Sequence, residues 1–166
     1  MSSNITTSQT IGPFPHEGWR WAFDPQTGTD PAVIIEGKVH NGSGQPVGDA
    51  LIEAWLPQAQ TPAVEGLPGL HRVATDDSGS FRLALPQRAA DGEPAAYVTL
   101  FCRGLLKHQF TALFLSDDTS VPDSPLLAQV PAARRATLVA ERTGPGRYRW
   151  DIRLQGDAET AFFDYE

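Results

Sequence analysis

The sequence predicts an all-β domain, a sandwich or barrel, with an irregular N-terminal arm and a single short helix. Three observations carry that prediction. Apolar and β-branched runs of strand length recur along the chain, dense Gly and Pro clusters separate them at fairly even spacing, and helical periodicity is confined to one place. With 15 Gly and 14 Pro in 166 residues, turns are frequent. A 40% hydrophobic fraction, 20% charge and four Trp still supply a core for one domain and argue against disorder.

Residues 1–31 are expected to be irregular. Gly12, Pro13 and Pro15 block helix and discourage ladder hydrogen bonds. Trp19, Trp21 and Phe23 follow in alternation with Arg20 and Ala22. So many aromatics must pack on something, either the domain's own core or a partner chain. The β-domain is expected over residues 32–166. Val33–Val39 reads as the first strand and Asn41–Asp49, NGSGQPVGD, as a hairpin connection. Ala50–Leu56 is the next strand, with Leu51, Glu53 and Trp55 on one face and Ile52, Ala54 and Leu56 on the other. Gln58–Leu70 reads as loop, His71–Thr75 as a short strand, Asp76–Ser80 as a turn and Phe81–Pro86 as a strand. After the loop Gln87–Pro94 comes the near-continuously apolar Ala96–Gly104, a central strand, and then Phe110–Asp117.

The helix candidate has Asp123 or Ser124 as cap, Pro125 at its first position and Leu126–Val130 as its body, stopped by Pro131. Ala136–Arg142, the turn Thr143–Gly146 and Arg147–Leu154 read as a hairpin. Its last strand places Tyr148, Trp150, Ile152 and Leu154 on one face.

A net charge of −7 and a pI of about 5.0 exclude a general nucleic-acid footprint, so an anionic substrate would be drawn in by a local Arg. No apolar run approaches the roughly 20 residues of a membrane span. The N-terminus lacks the basic and apolar regions of a secretory signal, and a cytoplasmic location is expected. Cys102 is the one cysteine. It excludes a disulfide framework and a Cys-cluster metal site, and its place in an apolar strand marks an inert core thiol.

The chain alone shows no catalytic machinery. His16, His40, His71 and His108 form no ligand spacing, and neither GxSxG nor a phosphate loop is present. Asp76-Asp77 and Asp117-Asp118 read as turn residues at strand ends, and Arg134-Arg135 as solvated charge. Arg103 stands apart because it ends the most apolar strand. It is either a snorkelling strand-end residue or a carboxylate-recognising fork.

Several segments together resemble the intradiol ring-cleaving dioxygenases. TSQTIGPFPHEG (Thr7–Gly18) is similar to the family's opening TPSQTxGPY. GKVHNGSGQPVGDALIEAW (Gly37–Trp55), TDDSGSFRLALP (Thr75–Pro86) and LFCRG (Leu100–Gly104) resemble successive family motifs. RYRWDIRLQGDAETAFFDYE (Arg147–Glu166) resembles most specifically the family's alpha chains. The resemblance spans nearly the whole chain and implies an antiparallel β-sandwich. It also implies a reaction in which both atoms of O2 enter a catechol between its two hydroxylated carbons.

The family's non-haem Fe3+ is held by two Tyr and two His. The matching positions here depart from that pattern. Ala95, Ala96 and Tyr97 stand where His-x-His is expected, and neither Leu56–Leu70 nor Gln87–Glu93 contains a Tyr. The resemblance therefore implies an iron-free alpha subunit without catalytic residues of its own. Its partner would be a beta chain that holds the Fe3+ and cleaves protocatechuate to 3-carboxy-cis,cis-muconate, in heterodimers within a larger symmetric oligomer. By motif match Thr10, Gly12 and Pro13, flanked by Ile11 and Phe14, would line the substrate pocket, with Gly12 allowing close approach and Pro13 stiffening the wall. Arg103 would help attract or hold the ring carboxylate. The aromatic arm Trp19–Phe23 and the FFDY terminus would contribute to the partner interface. The alternative is a β-sandwich binding or scaffold module without dioxygenase activity.

Overall fold

In the computed structural model residues 14–23, 31–56, 62–64 and 67–164 are described. One continuous nine-stranded sheet folds over into two layers. The first layer joins β6 (Ser80–Leu85), β1 (Val33–His40), the consecutive β10 (Arg147–Arg149) and β11 (Ile152–Arg153), and β9 (Val139–Gly144). The second joins β8 (Gln109–Leu115), β7 (Ala96–Phe101), β2 (Leu51–Trp55) and β5 (Leu70–Ala74). Antiparallel pairing dominates. Parallel pairing occurs at two seams, β1 with β10 and β11, and β8 with β9. A separate two-stranded ribbon pairs β3 (Pro62–Val64) with β4 (Leu67–Pro68), inside the stretch read as loop from its Pro and Gly content.

The main core lies between the layers. Val33, Ile35, Leu83 and Tyr148 from one meet Ile52, Val98, Leu100 and Leu113 from the other. A second cluster lies outside β8, where Phe114 and Ala112 pack with Leu127, Val130, Leu138 and Ala161. The short helix falls where Pro125 and Pro131 bracket it. It is a single turn, Pro125–Ala128, with Ser124 at its cap position. No helix of the described residues is long and apolar enough to cross a membrane.

Four local expectations are corrected. Asn41–Asp49 is not a hairpin, because β1 and β2 lie in different layers and the segment crosses between them. Its turn chemistry is as expected, with Asn41 Oδ1 accepting from the Ser43 and Gln45 amides at 2.9 Å. Pro15 does not block helix but opens a one-turn helix, Pro15–Gly18, since its missing N–H is an orphan at a first helical position anyway. Ala136–Leu138 belong to a 3-10 helix spanning Ala132–Leu138, and the strand starts at Val139. The final strand breaks at Trp150-Asp151, although its alternation survives, with Tyr148, Trp150 and Ile152 all buried.

Gly37 is required by the seam between β1 and β10. A Cβ there would stand 1.7 Å from the Trp150 carbonyl oxygen and 2.9 Å from the Phe81 ring. Trp150 is fixed in turn by its amide donating to Glu36 O at 2.9 Å and its indole N–H to Thr137 O at 2.9 Å.

The layers are also tied by a polar node. The Tyr148 hydroxyl donates to the Asp117 carboxylate at 2.9 Å. Arg88 donates to Asp117 at 3.0 Å and to the Tyr148 hydroxyl, and Arg142 Nε stands 3.6 Å from Asp117. The hydrogen bond from Arg88 holds the Asp117 carboxyl below its usual range, with the bond from Tyr148 adding to it against the opposing effect of burial.

Two outcomes follow from this packing. Gly37→Ala is expected to destabilise the fold by about 3 kcal/mol or more, because the obstruction is backbone and cannot rotate away; thermal unfolding reads the change. Asp117→Asn should cost about 1–3 kcal/mol at neutral pH, leaving Arg88 and Tyr148 poorly matched. Since the folded-state value lies below the unfolded one, near 3.9, this contribution is present above that value. It is lost as pH falls through the folded-state value. Denaturant midpoints of the two proteins should therefore converge below about pH 4.

Candidate functional site

Strand β7 has a sequence-predicted feature at each end, about 20 Å apart by strand rise. At its C-terminal end Phe101, Cys102 and Arg103 run into a turn closed by Gly104 at φ +91°. The Arg103 side chain is 69% exposed, and its Nε pairs with Asp49 Oδ2 at 3.1 Å. The partner that the sequence demanded for this charge is thus supplied by the segment preceding β2. Trp19 docks beside it, packing edge-on against Phe101 with ring centroids 5.7 Å apart. The Arg72 guanidinium lies 4.8 Å over the Trp19 ring and also pairs with Glu53. The described part of the arm therefore packs on the domain's own sheet at the end of β7 that carries Arg103. Trp21 remains 81% exposed. Thr10, Gly12 and Pro13 lie outside the described residues.

At the N-terminal end of β7 the structure brings together two of the segments that the resemblance matches to metal ligands, Gln87–Glu93 and Ala95–Tyr97, with Leu56 at the start of the third, whose residues 57–61 lie outside the described ones. They surround one cavity of about 200 Å³. Leu56 contributes from the end of β2, Gln87, Ala89, Ala90 and Glu93 from the loop after β6, and Pro94, Ala95 and Tyr97 from the start of β7. Ala96 points into the main core and is 1% exposed. Among the described residues the polar side chains on the lining are one amide, one carboxylate and one phenol. They do not fit a ferric site built from two imidazoles and two phenolates. Among the described residues no group of three His, Cys, Asp or Glu is placed to hold a metal.

The loop forming that wall is pinned at two points. Arg88 is held by Asp117 and Tyr148. The Gly92 amide donates to Asp118 Oδ2 at 2.6 Å, with Gly92 at φ +80°. Sequence reading took Asp117-Asp118 only for a strand-end turn. It missed their role as anchors because their partners lie 26 residues or more away in the chain.

Other expectations resolve locally. Asp76 makes the expected turn, accepting from the Ser78 and Ser80 amides at 2.9 Å. Arg134 and Arg135 are not solvated charge. Arg134 pairs with Glu159 and donates to Thr160 O, both at 2.9 Å, and Arg135 donates to Val130 O at 2.9 Å. They fasten the C-terminal segment and the end of the short helix. Phe162 and Phe163 of that segment pack against the two cores. Trp55 and Tyr97, direct cross-strand neighbours on the outer face of β2 and β7, are left exposed.

No family model matches the sequence. Among solved structures, the dioxygenase domain of a dioxygenase carbohydrate-binding protein fusion from Streptomyces sp. SirexAA-E superposes with a TM-score of 0.53 at 20% identity, covering 95% of this chain and all of that one. Hydroxyquinol 1,2-dioxygenase from Pseudomonas putida DLL-E4 gives 0.52 at 19% identity, over 92% and 67%. The architecture is that of the intradiol dioxygenase β-sandwich. Two curated relatives narrow it. The protocatechuate 3,4-dioxygenase alpha chain of Burkholderia cepacia is 36% identical and that of Pseudomonas putida 30% identical, each comparison covering 96% of both chains. The chain belongs to the family of protocatechuate 3,4-dioxygenase alpha chains.

Cys102 is buried, and that burial, with the negative charge of Asp49 adding to it, pushes its thiol up to about 11. The native protein should therefore resist an aromatic disulfide reagent at pH 8 and release one thiol equivalent only on unfolding. Absorbance of the released thiolate checks this.

Proposed function

We propose that this chain is the iron-free alpha subunit of a protocatechuate 3,4-dioxygenase, inactive alone. Its partner is a beta chain holding Fe3+, at which protocatechuate and O2 give 3-carboxy-cis,cis-muconate. The observation that carries this reading is the cavity at the start of β7. Gln87–Glu93 and Ala95–Tyr97, two of the stretches that the family resemblance matches to metal ligands, meet there, and their described side chains make a donor set unsuited to ferric iron. Identity to alpha chains over 96% of the sequence supports the same reading. The complex is cytoplasmic and assembles heterodimers into a larger symmetric oligomer.

The part this chain plays is steric and electrostatic. Thr10, Gly12 and Pro13 form a wall of the substrate pocket, and Arg103 draws in the ring carboxylate. Support comes from the docking of Trp19 on Phe101, which brings the arm to the end of β7 where Arg103 lies. Arg103 is exposed enough to turn its fork toward an anion while Asp49 holds Nε, an arrangement that orients the guanidinium before substrate arrives. The exposed pair Trp55 and Tyr97, with Trp21 of the arm, offers apolar surface to the beta chain.

Purification by a tag on this chain should bring down a second chain, with iron in proportion to it and the visible absorption of a tyrosinate–ferric centre. The chain expressed alone should be colourless and iron-free. Iron bound to side chains of the isolated chain would overturn the assignment. In the complex, Arg103→Ala should raise KM for protocatechuate roughly five- to tenfold while leaving catechol nearly unchanged. An equal effect on both substrates would remove Arg103 from carboxylate recognition.

A further inference from the structure

The 200 Å³ cavity at the start of β7 is more than the place from which a metal site is missing. We propose that it is a binding site for one neutral hydroxylated aromatic ring, a phenol or catechol without a carboxylate, held by the alpha chain itself. The inference rests on the iron-free reading above, since a metal held by these segments would occupy the same space.

Size is the first argument. An apolar cavity of about 150 Å³ is enough to take up benzene, so 200 Å³ accommodates one ring with a small substituent and little more. Chemistry is the second. Leu56, Ala89, Pro94 and Ala95 give an apolar wall, and Glu93 and Gln87 place acceptors on the same lining. A ring hydroxyl donating to the Glu93 carboxylate satisfies both the ring and the acid. Among the described residues no Lys, Arg or His lines the cavity. A benzoate would therefore bring its negative charge beside that of Glu93 with no cation to offset it, which makes the site selective against carboxylated rings.

Persistence of the space is the third argument. A surface cavity that could collapse would do so. Here the loop wall is held by Arg88 on Asp117 and by the Gly92 amide on Asp118. The opposite wall is held by the Ala95 amide donating to Leu113 O at 2.6 Å. Gln87, Ala90 and Glu93 are exposed, so a ligand can enter from solvent without opening the sandwich.

The test uses crystals of the assembled complex soaked with 4-bromophenol or 4-bromobenzoate, with the bromine located by anomalous scattering. The phenol should give a peak between Leu56 and Ala95, and the benzoate none. Ala90→Trp, which fills the mouth from an exposed loop position, should abolish the peak and remove one site per alpha chain in calorimetric titration with phenol. Glu93→Gln should admit the benzoate. An absent phenol peak, equal binding of both probes, or an unchanged site count in Ala90→Trp overturns the proposal. Should Ala90→Trp fail to fold, the Glu93→Gln comparison decides alone. An iron anomalous signal in this cavity would instead overturn the iron-free assignment, so the two failures are told apart.

Discussion

The hydrogen-bonded node of Tyr148, Asp117 and Arg88 holds the rest of the molecule in register. Tyr148 is 1% exposed and belongs to β10 in one layer, yet its hydroxyl reaches Asp117 just beyond β8 in the other. Arg88, from the loop after β6, completes the node and lies over the tyrosine ring. A buried phenol needs a partner for its hydroxyl, and here that partner also fixes the separation of the layers and the position of the loop walling the cavity. Because hydrogen bonds to a charged group count for more than neutral ones, the geometry tolerates the surrounding Gly- and Pro-rich connections.

Strands were the legible part of this sequence. Strands read at Val33–Val39, Ala50–Leu56, Phe81–Pro86 and Arg147–Leu154 are found in β1, β2, β6 and β10–β11, the last interrupted at Trp150-Asp151. Alternation is cleanest in β6 and at Tyr148, Trp150 and Ile152, where one face is buried and a slip of one residue would turn it to water. Pairing was not legible. Asn41–Asp49 has the composition of a hairpin turn, and the same composition serves a crossing between layers. Local turn chemistry fixes how the chain reverses, not which strand it meets next. The ribbon of β3 and β4 was hidden for a related reason, since its strands are two and three residues long and contain Pro, which the sequence reads as loop.

The candidate site was legible in a different way. Arg103 stood out because a charge ending an apolar strand needs compensation, and the structure supplies Asp49 from a segment more than fifty residues earlier. That partner was invisible in sequence, because nothing local distinguishes Asp49 from other turn carboxylates. The converse holds for Asp117, Asp118, Arg134 and Arg135, which sequence composition marks as ordinary surface charge. Their importance lies in what they reach: a loop for the two acids, the C-terminal segment and helix end for the two arginines. Long-range polar contacts have no periodicity, so no window of sequence reveals them.

The two ends of β7 are under opposite constraints. Around Arg103, the ion pair with Asp49 and the edge-on packing of Trp19 against Phe101 occupy the strand end. Around Ala95, small and apolar residues suffice for folding. Ala95, 4% exposed, is buried beside Leu113 in the main core, where an imidazole with neither metal nor hydrogen-bond partner would carry a desolvation cost. Alanine is the more stable occupant of such a position. The loop opposite cannot follow it inward, because Asp117 and Asp118 hold it from outside. Space therefore persists between that loop and the strand, and among the described residues its lining carries one carboxylate and no cationic side chain.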